Sequence, residues 1–297
     1  MGICTQEYWK FVYICDKMDA GFFYWPACSA CFYMKYETVL ERQIGEMKNI
    51  TVKDIVNATG GFLLCGDEDT PIKGLCIDSR KAQAGDLFIP LLGNKVDGHR
   101  FIEPAMERAS ATLTSEHDNV VISEKPFIRV DDTMKALQAI GKDIRGRYDI
   151  PYIGVTGSVG KTTTREMIAA AVGTGRHCFQ TNGNENSQIG VPMTLSRMTD
   201  GYDAAVIEMG ISEPGQMEIL SDIVRPSICV VTMIGVAHIE FMKTQENIRD
   251  EKLSIVNHMK ENGLLLLNGD DPLLREIKDD MSCQTLTFGI DEVCDFQ

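Results

Sequence analysis

The chain has 297 residues, 44% of them hydrophobic, which is enough for two cores of ordinary domain size. A formal charge of −14 and a pI near 4.8 argue against a nucleic-acid or membrane-surface partner, since both need clustered Lys and Arg. No run approaches the roughly eighteen apolar residues of a membrane-spanning helix, and the N-terminus lacks a basic region followed by an apolar one, so a cytoplasmic protein without membrane insertion is expected.

Residues 1–46 differ in composition from the rest, holding 11 of the chain's 22 aromatic residues and both tryptophans, Trp9 and Trp25. We expect this extension to lie outside the fold and Met47 to be the natural start. Packing of the extension on the first domain or on a partner is the alternative, with no motif behind it. "CSAC" gives a Cys28–Cys31 pair of metal-ligand spacing, but no second close pair follows, which favours chance composition over zinc. Cys65, Cys76, Cys178, Cys229, Cys283 and Cys294 sit mostly in apolar runs and read as small core residues of a reducing compartment.

From "MKNITVKDIVNATGG" to about Ile150 the pattern mixes short strands and helices. "LFIPLL" predicts a buried strand, and "HRFIEPAMERA" a helical stretch beyond a Gly/Asp-rich loop. "RGRYDIP" marks a hinge. After it "YIGVTG", "AAVIEMG", "SICVVTMIG", "GLLLLN" and "TLTFGI" alternate with helical stretches, the pattern of a mainly parallel sheet covered on both faces. The expected class is α/β: a smaller mixed domain over 47–150, then a parallel-sheet P-loop ATPase domain over 151–297.

"GVTGSVGKTTT", Gly154 to Thr164, joins a strand to a helix and departs from the phosphate-loop pattern by one residue, with five rather than four between Gly154 and Gly160. Backbone N–H groups and a helix N-terminus still converge there on an anion, so ATP is the expected ligand and the displaced glycine reads as a subclass marker. Lys161 would reach the terminal phosphates, and the Thr162 hydroxyl would coordinate Mg²⁺. A tight turn with an exposed lysine is the plain alternative.

In open parallel sheets ligands gather beyond the carboxyl ends of strands. Glu208 closes "AAVIEMG", His238 follows "SICVVTMIGVA", and Asn268 ends "GLLLLN". A carboxylate and an imidazole can bind a divalent metal, and an amide can pair with a purine edge. Taken singly, Glu208 could cap a helix and His238 could be structural. In "TQENIRDEKLSIVNHM", read as helix, Ile248, Ile255 and Met259 share a stripe with Lys252 in its middle. A buried, unpaired ammonium must find a carboxylate, lose its proton or be chemically altered, unless it snorkels to solvent.

"GVTGSVGKTTT", "TNGNENSQIGVPMTL", "AVIEMG" with "PGQMEIL", "GVAHIEFM", "DEKLSIV" and "LLNGDDP" occur in the order found in the Mur ligases of peptidoglycan synthesis, and the chain from Met47 onward resembles that family, nearest to its MurF type. "DSR", "GDLFIPLLG" and "DGHRF" upstream resemble its nucleotide-sugar domain. The resemblance implies that Thr156, Gly157, Ser158, Val159, Gly160, Lys161, Thr162 and Thr163 hold ATP, with Asn268 on adenine. It implies one Mg²⁺ on Thr162 and Glu208, and a second metal served by His238 and a carbamylated Lys252. Ser79 and Arg80 would contact the uridine diphosphate end of the substrate, and Asn184 and Asn186 would line an interdomain cleft. The implied reaction is ATP-dependent addition of D-alanyl-D-alanine to a UDP-muramoyl tripeptide through an acyl phosphate.

Val159 stands where a small or polar residue is common in the family, and Ala109-Ser110 replaces Gly-Ala. The family carries a third, C-terminal domain, and "TLTFGIDEVCDFQ" stops where the ATPase domain should finish, so that domain is expected to be absent or supplied separately. The other reading is a truncated nucleotide-binding module without ligase activity, a remnant or half of a split assembly.

Overall fold

The computed structural model describes residues 46–93, 96–116 and 123–297. All of the aromatic-rich stretch 1–46 except Glu46, including Cys28 and Cys31, lies outside the described residues. Two compact units are present. One contains the described residues up to Tyr148 together with Pro192–Asp200, and the other Asp149–Val191 with Gly201–Gln297. A single boundary near residue 150 does not anticipate the return of Pro192–Asp200. That segment is held to the first unit where the Tyr148 hydroxyl donates to the Met198 carbonyl at 3.0 Å and where Gly141 leaves room for Pro192.

The first unit opens with α1 (Val52–Thr59), where the Thr51 N–H donates to the Asp54 carboxylate at 2.8 Å and Gly60, at φ 67°, ends the helix in the left-handed region. Its sheet comprises β1 (Phe62–Cys65), β2 (Gly74–Cys76), β3 (Asp86–Phe88), β4 (Ala111–Thr114) and β5 (Phe127–Arg129), in the order β1-β5-β4-β3-β2 with only β1 antiparallel to its neighbour. The strand expected from "LFIPLL" ends at Phe88, two residues before Pro90, which has no N–H to give a ladder. Helix α2 (Ile102–Met106) places Ile102 and Ala105 against Phe88 and Phe127. Helix α3 (Thr133–Gly146), capped by Asp132, packs on α1.

The second unit holds β6 (Tyr152–Thr156), α4 (Lys161–Val172), β7 (Cys178–Gln180), β8 (Ala204–Glu208), α6 (Gln216–Val224), β9 (Ile228–Val231), α7 (Ile239–Met242), α8 (Gln245–Leu253), β10 (Leu264–Asn268), α9 (Pro272–Glu276) and β11 (Gln284–Phe288), while α5 (Gly190–Leu195) carries the chain across the unit boundary. The six strands are all parallel in the order β11-β10-β9-β6-β8-β7. β6 and β8 are buried throughout, which explains their unbroken apolar runs and bears out the expected class. β7, three residues long, carries too short a pattern to be separable in the sequence.

Because β6 lies between β8 and β9, the chain leaves β6 in one direction for β8 and returns on the other side as β9. The carboxyl ends of these three strands, Thr156, Glu208 and Val231, therefore share one edge, the place where open α/β sheets bind ligands. Among the described residues no helix is long and apolar enough to cross a membrane.

Candidate active site

The displaced glycine of the phosphate loop has a packing explanation. Gly154 is inside β6, where an added Cβ would stand 2.9 Å from Met209 Sδ and 3.2 Å from Ile255 Cδ1. The loop's own first glycine is Gly157, at φ 148°, and Gly160, at φ 85°, precedes α4. A Cβ on Gly157 would fall 2.0 Å from Thr232 Oγ1, so only glycine lets the loop lie against the end of β9. Thr232 fixes that approach: its Oγ1 donates to the Val159 carbonyl at 2.6 Å, and its N–H to that of Thr156 at 2.9 Å. The Ser158 N–H donates to Met233 O at 2.7 Å. Ser158 Oγ is buried and has no partner among the described residues, while Val159 and Thr163 are exposed. Sequence reasoning missed Thr232; "VVTMIG" offered only a hydroxyl at a strand end.

Lys161 opens α4, and its Nζ donates to the Gly157 carbonyl at 2.8 Å. Burial pushes this ammonium below its ordinary range, with Glu208 acting the other way. One residue on, Thr162 Oγ1 donates to Glu208 Oε2 at 2.9 Å. Glu208 is 1% exposed, and its other oxygen accepts from Asn186 Nδ2 at 2.7 Å. Of the two asparagines expected in the site, Asn186 reaches the carboxylate. Asn184 is exposed and contributes its backbone carbonyl, which accepts the Asn186 N–H at 2.8 Å. Arg165, not singled out from the sequence, is 2% exposed with Nη1 3.7 Å from Glu208 Oε2.

Lys252 is 3% exposed, as its place in the apolar stripe predicts. The helix is shorter than expected: α8 ends at Leu253, a 3₁₀ turn over Ser254–Val256 follows, and Met259 lies beyond both. Ile248 and Ile255 are buried with Lys252, Met259 only partly. Among the described residues Nζ makes no ion pair. Its neighbour Glu251 is committed elsewhere, accepting the N–H groups of Met217 at 2.9 Å and Gly215 at 2.9 Å at the start of α6. Burial, reinforced by the Lys161 charge, lowers the Lys252 ammonium to about 8. His238 sits at the N-terminus of α7 with φ 64°, exposed, its carbonyl accepting from Phe241 and Met242 and its ring bonded to nothing among the described residues.

Asn268 closes β10, and its Oδ1 accepts the Asp270 N–H at 3.0 Å, so this amide oxygen is engaged within its own turn. The neighbouring Asp271 is buried, accepting from Ile234 N at 2.7 Å and capping α9 through Leu273 N at 2.9 Å. Ser79 and Arg80 form a 3₁₀ turn in the first unit, where Arg80 makes a bidentate pair with Asp78 at 2.9 and 2.8 Å and holds that carboxyl down to about 2. Asp97, His99 and Glu116 also cluster in the first unit, but both His99 nitrogens are used, Nδ1 on Asp97 at 2.7 Å and Nε2 as acceptor of the Ser115 N–H at 3.0 Å. The His99 ring therefore has no free nitrogen lone pair to offer a metal.

A glycine-lined turn, the N-terminus of a twelve-residue helix that no side chain caps, a lysine at its head and a Ser158 hydroxyl without a partner among the described residues together suit an anion of phosphate type. The adjoining pair of hard oxygens on Thr162 and Glu208 suits a small divalent cation.

Comparison with known proteins gives a consistent result. The profile of the Mur ligase middle domain matches residues 155–296, and that of the Mur ligase family catalytic domain matches 71–145. The UDP-N-acetylmuramoyl-tripeptide--D-alanyl-D-alanine ligase of Bacillus subtilis is 40% identical over 249 residues, covering 83% of this chain and 54% of its own. The Escherichia coli protein of the same name is 31% identical over 226 residues, with 76% and 49% covered. Among solved structures, MurF from Acinetobacter baumannii superposes with a TM-score of 0.74 at 29% identity, covering 80% of this chain and 53% of its own. MurF ligase from Thermotoga maritima in complex with ADP gives 0.69 at 33%, with 75% and 51% covered. The chain spans about half the length of the curated relatives it matches.

Proposed function

The chain belongs to the Mur ligase family, and from that premise we propose that it serves an ATP-dependent ligase joining D-alanyl-D-alanine to a UDP-N-acetylmuramoyl tripeptide in cytoplasmic peptidoglycan precursor synthesis. The observation that carries the reading is the Thr162–Glu208 pair at the strand ends, set beside a phosphate loop and the buried Lys252. In this reading the loop from Thr156 to Thr163 holds the ATP phosphates, Lys161 neutralises the charge on the β- and γ-phosphates, and Asn268 meets adenine. Thr162 and Glu208 would hold one Mg²⁺, and His238 and Lys252 a second. Bound there, Mg²⁺ supplies charge neutralisation of the phosphates.

The tripeptide carboxylate attacks the γ-phosphorus, ADP leaves, and the dipeptide amine displaces phosphate from the acyl phosphate to form the amide. The residues act by position and charge, since phosphoryl transfer asks little covalent chemistry of the protein. With its ammonium lowered to about 8, Lys252 offers a larger share of neutral amine than an ordinary lysine does, and that amine would add to CO₂ with loss of a proton to become a carbamate, an oxygen donor in place of a cation. Ser79 and Arg80 would bind the uridine diphosphate end, and Asn184 and Asn186 would line the substrate cleft. A nucleotide-binding module without ligase activity is the second reading.

Titration calorimetry with ATP and Mg²⁺ tests the site. We expect saturable binding by the chain and none by Lys161→Ala; equal affinity of the two would refute the loop assignment. Adding UDP-muramoyl tripeptide and D-alanyl-D-alanine, with product analysis, separates ligase from binding module.

A further inference from the structure

Arg165 lies one turn into α4, four residues after Lys161, and a guanidinium 2% exposed is an expensive way to fill a core position. Its contacts are specific. Nη1 donates to the carbonyls of Thr181 at 2.6 Å and Gly183 at 2.8 Å, and Nη2 pairs with Glu166, itself bonded to Gln180. The 181–183 backbone is the exit from β7, and it leads directly into the turn that carries Asn186. Both ends of that segment hold Glu208: Thr181 Oγ1 accepts the Glu208 N–H at 2.9 Å, and Asn186 Nδ2 donates to Oε1 at 2.7 Å.

The distance from Arg165 to Glu208 is as informative as the contacts. A guanidinium that merely neutralised a buried carboxylate would close on it in a bidentate pair, taking both oxygens. Here Nη1 stops 3.7 Å from Oε2, drawn back by two carbonyls, and that oxygen keeps a lone pair beside the Thr162 hydroxyl. The arrangement holds the charge near without consuming the ligand.

We propose that Arg165 is a positioning residue for the cation site: by clamping the Thr181–Gly183 segment it orients Glu208, directly through the Thr181 hydroxyl and indirectly through Asn186, so that a Glu208 oxygen and the Thr162 hydroxyl face one divalent ion. This rests on the reading of Thr162 and Glu208 as that site. Two effects of removing the guanidinium oppose one another. Loss of a positive charge 3.7 Å from the carboxylate tightens cation binding, while loss of the clamp loosens it. A purely electrostatic role and a positioning role thus move the cation requirement in opposite directions.

The test measures nucleotide affinity by calorimetry as Mg²⁺ is varied, for the wild-type chain, Arg165→Met and Arg165→Lys, with thermal melts alongside. We expect Arg165→Met to raise the Mg²⁺ concentration for half-maximal effect about tenfold, in the range for lost support of a metal ligand. Metal-free nucleotide affinity should change less than about twofold, and Arg165→Lys, which can still reach one carbonyl, should recover part of the loss. If Arg165→Met does not melt cooperatively, Arg165→Gln takes its place with the same expected rise. An unchanged or lowered Mg²⁺ requirement, or an equal loss of metal-free binding, overturns the proposal. Nucleotide binding by the wild-type chain that is indifferent to Mg²⁺ overturns the site reading and this proposal with it.

Discussion

Thr162 Oγ1 donates a hydrogen bond of 2.9 Å to Glu208 Oε2, joining the first turn of α4 to the last residue of β8. The contact exists because β6 and β8 are neighbours in the sheet although β7 lies between them in sequence. Two oxygens so placed could fill two positions of an octahedral Mg²⁺ shell. Thr162→Ala should therefore lower Mg²⁺-dependent phosphate release about 100-fold, in the range for removal of one catalytic polar contact, while Thr162→Ser stays within a few-fold of wild type. Thr162 is exposed, so the melting temperature should hardly move. A phosphate-release assay in which Thr162→Ala matches wild type would dispose of the assignment.

Gly154 and Gly157 should behave differently. Gly157→Ala forces a side chain into φ 148° and against Thr232 Oγ1 at 2.0 Å, which should cost about 2–4 kcal/mol and weaken nucleotide binding. Gly154→Ala meets the flexible end of Met209 at 2.9 Å inside β6, and should cost about 1–2 kcal/mol with nucleotide affinity retained. Denaturant melts and calorimetry on both variants decide between them. If Gly154→Ala loses nucleotide and Gly157→Ala does not, the loop begins where the sequence pattern first suggested.

The contrast shows what was legible beforehand. The apolar runs of β6, β8, β9 and β10 announced a parallel sheet because burial on both faces leaves little room for polar residues, and the strand-end rule drew attention to Glu208, His238 and Asn268. The spacing of Lys252 between Ile248 and Ile255 pointed to its burial, though the helix stops at Leu253 and the sequence also left snorkelling open. Strand order did not follow, since it depends on which edges pair after collapse, and with it went the meaning of Gly154. Arg165 was hidden for a related reason. Its partners are backbone carbonyls sixteen and eighteen residues away, which no side-chain pattern reveals. Pro192–Asp200 rejoining the first unit was likewise invisible, because it rests on Gly141 and Tyr148 from an earlier helix and hinge.

Glu251 supplies a further test. Its two oxygens accept the N–H groups of Gly215 and Met217 at the start of α6, where a carboxylate meets unsatisfied donors and the positive end of the helix dipole. Glu251→Gln keeps one acceptor and loses the charge, so we expect a loss of about 1 kcal/mol at neutral pH. The same change removes a neighbour that favours the Lys252 ammonium, so it should lower the proton affinity of Lys252 further. A thermal melt reads the first effect. A variant as stable as wild type would show that the cap contributes nothing measurable.

The last expectation concerns pH and Lys252. Burial and the nearby Lys161 charge lower its ammonium to about 8 in the folded chain, whereas an unfolded lysine titrates near 10.4. Below pH 8 both states are protonated, and the folded state carries the full cost of a buried charge. Between about pH 8 and 10.4 the unfolded chain holds a proton that the folded chain has released, so folding stability rises with pH through that window. The full difference is on the order of 3 kcal/mol. Lys161, also depressed by burial, contributes in the same direction, so wild type alone does not isolate the effect. The comparison is with Lys252→Met, which fills the same space without a proton to lose and should be the more stable protein at pH 7. In CO₂-free buffer without divalent metal, we expect its advantage over wild type to shrink as pH is raised from 8 to 10.4. Denaturant unfolding at several pH values measures this directly, and a stability difference between the two proteins that stays constant across the window would show that Lys252 titrates as an ordinary lysine.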